Sequence, residues 1–170
     1  MGQQAGNILP IYAFLPLRNA HLPFLATWIK AMGPAGATSW LTLLQLFQKQ
    51  PQMWDSPWTR SWMMEVDRQP AFCASFDKDH KAEPAENNRL SLLAAPSIRH
   101  APMKLMRAWQ ASALHMFQQE KPGWLTAELH ISEMEEREAL QRIGFREAEK
   151  ADPESGILYV CRSGELTPVF

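Results

Sequence analysis

Three cations lie close together in the sequence, at the start of a predicted helix: Arg99, Lys104 and Arg107. No acidic residue occurs from Arg99 to Gln119. Cations at this end oppose the helix dipole, whose N-terminal end is positive. A bound phosphate would offset that repulsion, and so would a neighbouring carboxylate. The cluster is therefore a candidate anion site, and an ordinary helix start initiated by Pro102 is the alternative.

A second candidate group lies on a predicted strand, "WLTAELHI" (124–131), in which apolar and polar residues alternate. Thr126, Glu128 and His130 share the polar face. Histidine has an unperturbed pKa of about 6.5, which suits proton transfer near neutrality, and a carboxylate can also act as a base. Glu128 and His130 are therefore candidate bases, with a solvated strand face as the alternative. Glu65, on a predicted hairpin, is a further carboxylate that could face a substrate.

The composition narrows the possible functions. A chain of 170 residues suits one domain of roughly 100–200 residues, and we predict a single domain over 1–170. Seventeen basic and eighteen acidic residues give a net charge of −1, which indicates neither a nucleic-acid partner nor a membrane surface. Two cysteines without a Cys-x-x-Cys pair, and no histidine pair at ligand spacing, indicate no metal site. Without a signal-like N-terminus or a long apolar run, a cytoplasmic location is expected.

The periodicity of apolar residues predicts a mixed α/β domain with the order β-α-α-β-β-β-α-β-α-β-β. The predicted elements are a strand at Ile11–Leu17, helices at about Asn19–Met32 and from Ser39 to Gln50, a hairpin turning at Asp67, Arg68 and Gln69, a polar loop from Lys78 to Arg89, a central strand "LSLLAAP" (90–96), a helix over about Pro102–Gln119, the strand at 124–131, a short helix, and the strands "FREAEK" (145–150) and "GILYVCR" (156–162).

The short helix has clear boundary residues. Ser132 followed by Glu135 predicts a capping box at its start. At its end, Gly144 can adopt the left-handed C′ conformation, which makes Phe145 the C″ residue and Leu140 the C3 residue of a Schellman motif. The sequence therefore predicts a helix that stops sharply and leads into a strand through a buried aromatic side chain.

This strand, the helix ending in "IGF" and the strands after it resemble the C-terminal half of the GNAT superfamily of N-acetyltransferases. Upstream, "LSLLAAPSIRHAPMKLMRAW" (90–109) is similar to that family's cofactor strand, loop and helix, and "LPLRNAHLPFLATWI" (15–29) to its opening strand and first helix. The resemblance extends from Ile11 to Arg162. It implies a GNAT-like α/β fold, with a mostly antiparallel, twisted sheet of about six or seven strands flanked by about four helices.

The resemblance also implies acetyl-CoA as co-substrate, with its pyrophosphate held by the loop before the long helix. Arg99 stands at the family's first basic or polar position, but Pro102 and Lys104 replace the glycines that follow. Glycine lets backbone approach a phosphate closely, and proline has no N–H to donate. Side-chain capture of phosphate would replace part of the missing backbone site. The implied cofactor residues are Leu93, Ala94, Ala95, Ile98, Arg99, His100, Ala101, Met103, Lys104 and Glu133.

The implied activity is direct transfer of an acetyl group from acetyl-CoA to an amine on a small molecule or a protein. Leu140 occupies the position of the family's usual tyrosine. The candidate catalytic residues are therefore still Glu128 and His130, which share the polar face of the strand beside the presumed cofactor strand. The implied substrate groove contains Trp54, Trp58 and Glu65, and the tryptophan-rich segment or the C-terminal strands could form a homodimer. The alternative is a GNAT-like module without catalysis that binds a partner or has a structural role, as in some phage particle proteins.

Overall fold

The computed structural model describes residues 12–32, 59–78, 87–129, 133–148 and 157–167. Within these ranges, seven strands form one sheet, and helices lie between them in the chain. The strands are β1 (Tyr12–Pro16), β2 (Thr59–Val66), β3 (Gln69–Lys78), β4 (Asn87–Ala94), β5 (Trp124–Leu129), β6 (Arg146–Glu147) and β7 (Ile157–Arg162), and the helices are α1 (Leu22–Ala31), α2 (Pro96–Arg99), α3 (Pro102–Gln119) and α4 (Met134–Arg142). A 3-10 turn, Asn19–His21, precedes α1.

The sheet has the strand order β1-β2-β3-β4-β5-β7-β6. All neighbouring strands are antiparallel except β4 and β5, which are parallel and connected through α2 and α3. The prediction of a mixed α/β fold with a mostly antiparallel sheet is therefore confirmed. Strand β4 lies in the middle of the sheet, as its nearly continuous apolar sequence predicts.

Both faces of the sheet are covered. On one face the imidazole of His115, from α3, stacks on Phe14 at 3.9 Å between ring centroids and meets the edge of Trp62. On the other face Met63 and Cys73, which are paired across β2 and β3, are fully buried. The core therefore extends across the sheet, and β4 is enclosed from both sides.

Cys73 and Cys161 have no solvent-exposed surface, and burial raises the pKa of both thiols above the usual range. Since the thiolate is the reactive form, we expect neither thiol to react readily with dithiobis(nitrobenzoate) in the native protein, and both to react after unfolding in guanidinium chloride. A fast native reaction would contradict this burial. Cys73→Ser and Cys161→Ser would show which thiol was responsible.

The β2–β3 hairpin is tighter than predicted. Its turn consists of Asp67 and Arg68 alone, with φ values of 51° and 68°, and Gln69 is already paired with Val66. Two successive positive φ angles define the turn whose twist matches that of the flanking strands. The prediction of a three-residue turn is therefore wrong by one residue. The sequence did not indicate the two-residue turn, because Asp-Arg is not a typical pair for it.

Two other boundaries differ from the prediction. The predicted loop from Lys78 to Arg89 is shorter than expected, because Lys78 belongs to β3 and 87–89 belong to β4. The last-but-one strand contains only Arg146 and Glu147. The predicted helix starting at Ser39 lies outside the described residues.

The predicted end of α4 is confirmed. The N–H of Phe145 donates to the carbonyl oxygen of Leu140 at 3.0 Å, and the N–H of Gly144 donates to that of Gln141 at 3.3 Å. Gly144 has φ +112°. These are the two hydrogen bonds of a Schellman motif. The helix begins at Met134 with Glu133 at the N-cap position and no side-chain capping bond; the predicted capping residue, Ser132, lies outside the described residues.

Candidate functional site

The parallel strands β4 and β5 separate along their length. They are paired only where Asn87, Asn88 and Arg89 face the first three residues of β5. From Leu90 to Ala94, β4 is paired with β3, and the described part of β5 has no pairing with it there. The sheet therefore opens between the carboxyl ends of β4 and β5. Backbone groups at such an opening are available to a ligand, because they are not used within the sheet.

The segment after β4 is a turn of helix, α2, rather than the open loop implied by the resemblance. The N–H groups of Ile98 and Arg99 donate to the carbonyl of Ala95, and those of His100 and Ala101 donate to carbonyls within α2. Pro102, the first residue of α3, has no N–H. Only the amides of the next two residues remain at the start of α3 without an acceptor inside the helix. Backbone capture of a pyrophosphate is therefore limited here, and side chains must supply the remaining contacts.

Several predicted cofactor residues lie together at this opening. Leu93 and Ala94 at the end of β4, and Ala95 and Ile98 just after it, are buried. Arg99 is half-buried, and its guanidinium donates to the carbonyl oxygen of Ala31 at the end of α1, at 3.4 Å. The exposed side chains of His100 and Glu135 approach within 3.9 Å, which brings the start of α4 next to the segment after β4.

Glu136 is a candidate functional residue that sequence reasoning missed. Only 6% of its surface is exposed. Burial raises the pKa of its carboxyl group to about 8; the charges of Glu133 and Glu135 also raise the pKa, and that of Arg99 lowers it. The group is therefore mostly protonated at neutral pH and is close enough to Arg99 for their charges to interact. A buried carboxylic acid whose pKa is raised by burial and whose charge interacts with a nearby cation is a candidate acid–base group.

Glu136 was detectable from the sequence spacing. It lies three, four and seven residues before Ala139, Leu140 and Ile143, which form the buried stripe of α4. The stripe therefore includes an acidic residue at a position where the buried face of an amphipathic helix ordinarily has an apolar one. Leu140, at the position of the family's tyrosine, is fully buried.

The predicted bases are only partly described. Glu128, two residues beyond the last β4–β5 pair, forms an ion pair with Arg89 at 3.3 Å, with both side chains about half exposed. Glu65 is half-buried in β2, and its charge acts on His21. His130, Trp54 and Trp58 lie outside the described residues. The structure therefore brings Arg99, His100 and the start of α4 together, but it does not place Glu65 with them.

Other proteins with solved structures share this architecture, although the sequence itself matches no known family. No protein-family model matches the sequence, and a search of the curated proteins finds no match. Solved structures do match. A protein from Bacillus halodurans has a TM-score of 0.74 and 13% identity, over 92% of this chain and 86% of that chain. AAC(6')-Ib in complex with ribostamycin and coenzyme A has a TM-score of 0.72 and 10% identity, over 91% and 94%.

The chain has the GNAT fold. A spermidine N-acetyltransferase chimera from Vibrio cholerae SpeG and hSSAT also matches, with a TM-score of 0.67 and 10% identity over 89% of this chain and 95% of that one. Identities this low establish the shared fold alone.

Among the residues described, no helix combines the length and the apolar character needed to cross a membrane. Within the same ranges, no three His, Cys, Asp or Glu side chains are grouped as metal ligands.

Proposed function

We propose that this chain is an acyl-CoA-dependent N-acyltransferase, a single domain that transfers an acetyl group from acetyl-CoA to an amine. The observation that carries the proposal is the opening between β4 and β5, with Arg99 in the segment after β4 and the buried acid Glu136, whose charge interacts with that of Arg99, at the start of α4. The GNAT fold supports it, because similar structures were solved with coenzyme A or acetyl-CoA bound. Fold alone does not establish activity, so the proposal depends on this site.

The residues present fit acetyl-CoA, but side chains rather than backbone amides would make most of the contacts to its pyrophosphate. The edge of β4 that faces β5, near Leu93 and Ala94, has no pairing with the described part of β5 and would bind the thioester arm through amide and carbonyl groups. Arg99, His100 and Lys104 would bind the pyrophosphate mainly through side chains, since most nearby amides are already used within α2. Arginine suits this role because its planar guanidinium can make two hydrogen bonds to a phosphate.

The transfer requires two proton movements. The amine nitrogen forms a bond to the thioester carbonyl carbon, and the carbon–sulfur bond breaks. The amine loses a proton, which Glu128 or His130 is proposed to accept, directly or through water. The departing thiolate gains a proton, and Glu136 is proposed to supply it, because its carboxyl group is mostly protonated near pH 7. The acid thus comes from α4, one turn before the leucine that replaces the family's tyrosine.

The proposed acceptor is an amine on a small molecule or on a protein. Among the similar structures, AAC(6')-Ib is solved with ribostamycin and another is a spermidine N-acetyltransferase. A small-molecule amine is therefore the first class to screen. Trp54, Trp58 and Glu65 remain the proposed groove residues from the sequence.

We expect Arg99→Ala to weaken acetyl-CoA binding by about 10–100-fold, because a hydrogen bond to a charged group contributes about 1.5–3 kcal/mol. Calorimetry of the intact chain with acetyl-CoA measures this change. Pantetheine, which has no pyrophosphate, should bind the variant and the wild-type protein equally. Arg142→Ala is the matched control, because Arg142 is exposed on α4 and pairs with Glu138 on the same helix.

Either of two results would argue against the proposal. If wild-type protein binds no acetyl-CoA at about 1 mM, the acetyltransferase assignment fails and the noncatalytic GNAT-like module is favoured. If acetyl-CoA binds but Arg99→Ala and Arg142→Ala weaken it equally, the phosphate contact assigned to Arg99 is wrong. Melting curves for both variants would show whether lost binding merely reflects lost folding.

A further inference from the structure

A cavity lies beneath the first two turns of α3. Its volume is about 260 Å³. The walls come from the first residue of β1, the β2–β3 hairpin, the start of β3, α2 and α3. The lining residues are Tyr12, Val66, Asp67, Phe72, Ile98, Lys104 and Arg107.

The cavity adjoins the candidate acyl-CoA site. Lys104 and Ile98 line it and are also proposed to contact acetyl-CoA. Lys104 and Arg107 are three residues apart on α3, so their side chains lie on the same flank of the helix. Arg107, Tyr12 and Phe72 line the cavity and have no role in the proposed acyl-CoA site.

The cavity has a polar end and an apolar body. Lys104 and Arg107 provide two positive charges against the one carboxylate of Asp67. Burial raises the pKa of the Tyr12 phenol; Arg107 lowers that pKa and Asp67 raises it, so the hydroxyl group is a neutral hydrogen-bond donor near pH 7. Val66, Phe72 and Ile98 form the apolar walls. A few converging polar groups in an otherwise apolar cavity are typical of small-molecule sites.

We propose that this cavity binds a small aromatic carboxylate. Its carboxylate would accept hydrogen bonds from Arg107, Lys104 and the Tyr12 hydroxyl, and its ring would lie against Val66, Phe72 and Ile98. The charge selects an anion, because two cations face one carboxylate in the cavity and α3 has no acidic residue. The proposal does not rest on the proposed acyl transfer, because Arg107 and Tyr12 line only the cavity and Lys104 is the one carboxylate ligand that the two proposed sites share.

The probe for this site is indole-3-acetate, with indole-3-acetamide as its neutral analogue of nearly the same shape. We expect calorimetry to detect binding of the acid at or below about 1 mM, and the amide to bind at least roughly 10-fold more weakly, because it lacks the charge that Arg107 pairs with. Arg107→Gln should weaken binding of the acid by about 10–100-fold. Lys30→Gln removes an exposed cation on α1 and should leave binding unchanged.

A third variant tests the location. Val66→Trp places a large side chain at the half-buried wall position opposite Tyr12 and should abolish binding of indole-3-acetate, while melting curves verify that the variant folds. Retained binding in Val66→Trp would place the ligand elsewhere and overturn the proposal. Equal binding of acid and amide, or equal loss in Arg107→Gln and Lys30→Gln, would also overturn it, as would no binding of the acid at about 1 mM.

Discussion

Gly144→Ala is expected to destabilise the fold by about 2–5 kcal/mol. The residue has φ +112°, where an L-amino acid with a Cβ costs roughly 1–2 kcal/mol. A Cβ at this position would also collide with the backbone carbonyl of Glu165. That carbonyl cannot move freely, because the N–H of Thr167, two residues on, donates to Ile143 at 2.7 Å. Overpacking of this kind costs about 1–3 kcal/mol more.

Urea denaturation of the two proteins measures this difference, and the melting temperature should fall by roughly 5–15 °C for a domain of this size. Gly164→Ala is the matched control: Gly164 has φ +93°, but a Cβ there would meet nothing within 4 Å. The control should therefore show only the conformational cost. If the two variants lose equal stability, the close approach of Glu165 to the end of α4 is wrong.

The end of α4 was predictable because its determinants are local. Leu140, Gly144 and Phe145 lie within six residues, and each acts through backbone geometry or a short-range contact. The same holds for the central position of β4, which its uninterrupted apolar sequence indicates. The hairpin turn at Asp67 and Arg68 was less predictable, since neither residue strongly favours positive φ and the register is set by pairing along the whole hairpin.

The candidate site was harder to predict because it depends on how distant segments pack. The sequence indicated Arg99 and Lys104 as anion ligands, but it did not indicate that α2 uses the amides between them. Pro96, at the first position of α2, was the available sign. Glu136 resembled its neighbours Glu133 and Glu135, acidic residues that favour the positive end of the helix dipole. Only its spacing from the buried stripe of α4 distinguishes it from them in the sequence.

Glu136→Gln should make the protein more stable at alkaline pH. The pKa of Glu136 is raised in the folded state to about 8 from 4.5. Between those values the folded state keeps a proton that the unfolded state has released, so stability falls as pH rises through this window and levels off above it. The glutamine side chain carries no charge at any of these pH values, so the variant should gain roughly 2–4 kcal/mol over wild type at pH 9, since one pKa unit corresponds to about 1.4 kcal/mol.

Urea denaturation from pH 4 to pH 9 tests this dependence. The groups whose charges act on Glu136 are Glu133 and Glu135 on α4 and Arg99 on α2. Glu138→Gln is the matched control, because Glu138 is exposed on the same helix and pairs with Arg142 at 2.7 Å. The control should follow the wild-type curve. Parallel curves for Glu136→Gln and wild type would show that the Glu136 pKa is not raised in the folded state.

In the proposed transfer, Glu136→Gln should lower kcat by about 10²–10⁴-fold, the usual contribution of a positioned general acid. The wild-type kcat should also decline as pH rises through about 8, because the acid must be protonated to serve the departing thiolate. An acetyl donor whose thiol is far more acidic, such as an aryl thioester, needs less protonation at sulfur. Most of the loss in Glu136→Gln should therefore disappear with that donor, whereas a variant damaged only in its packing would stay equally slow with both donors.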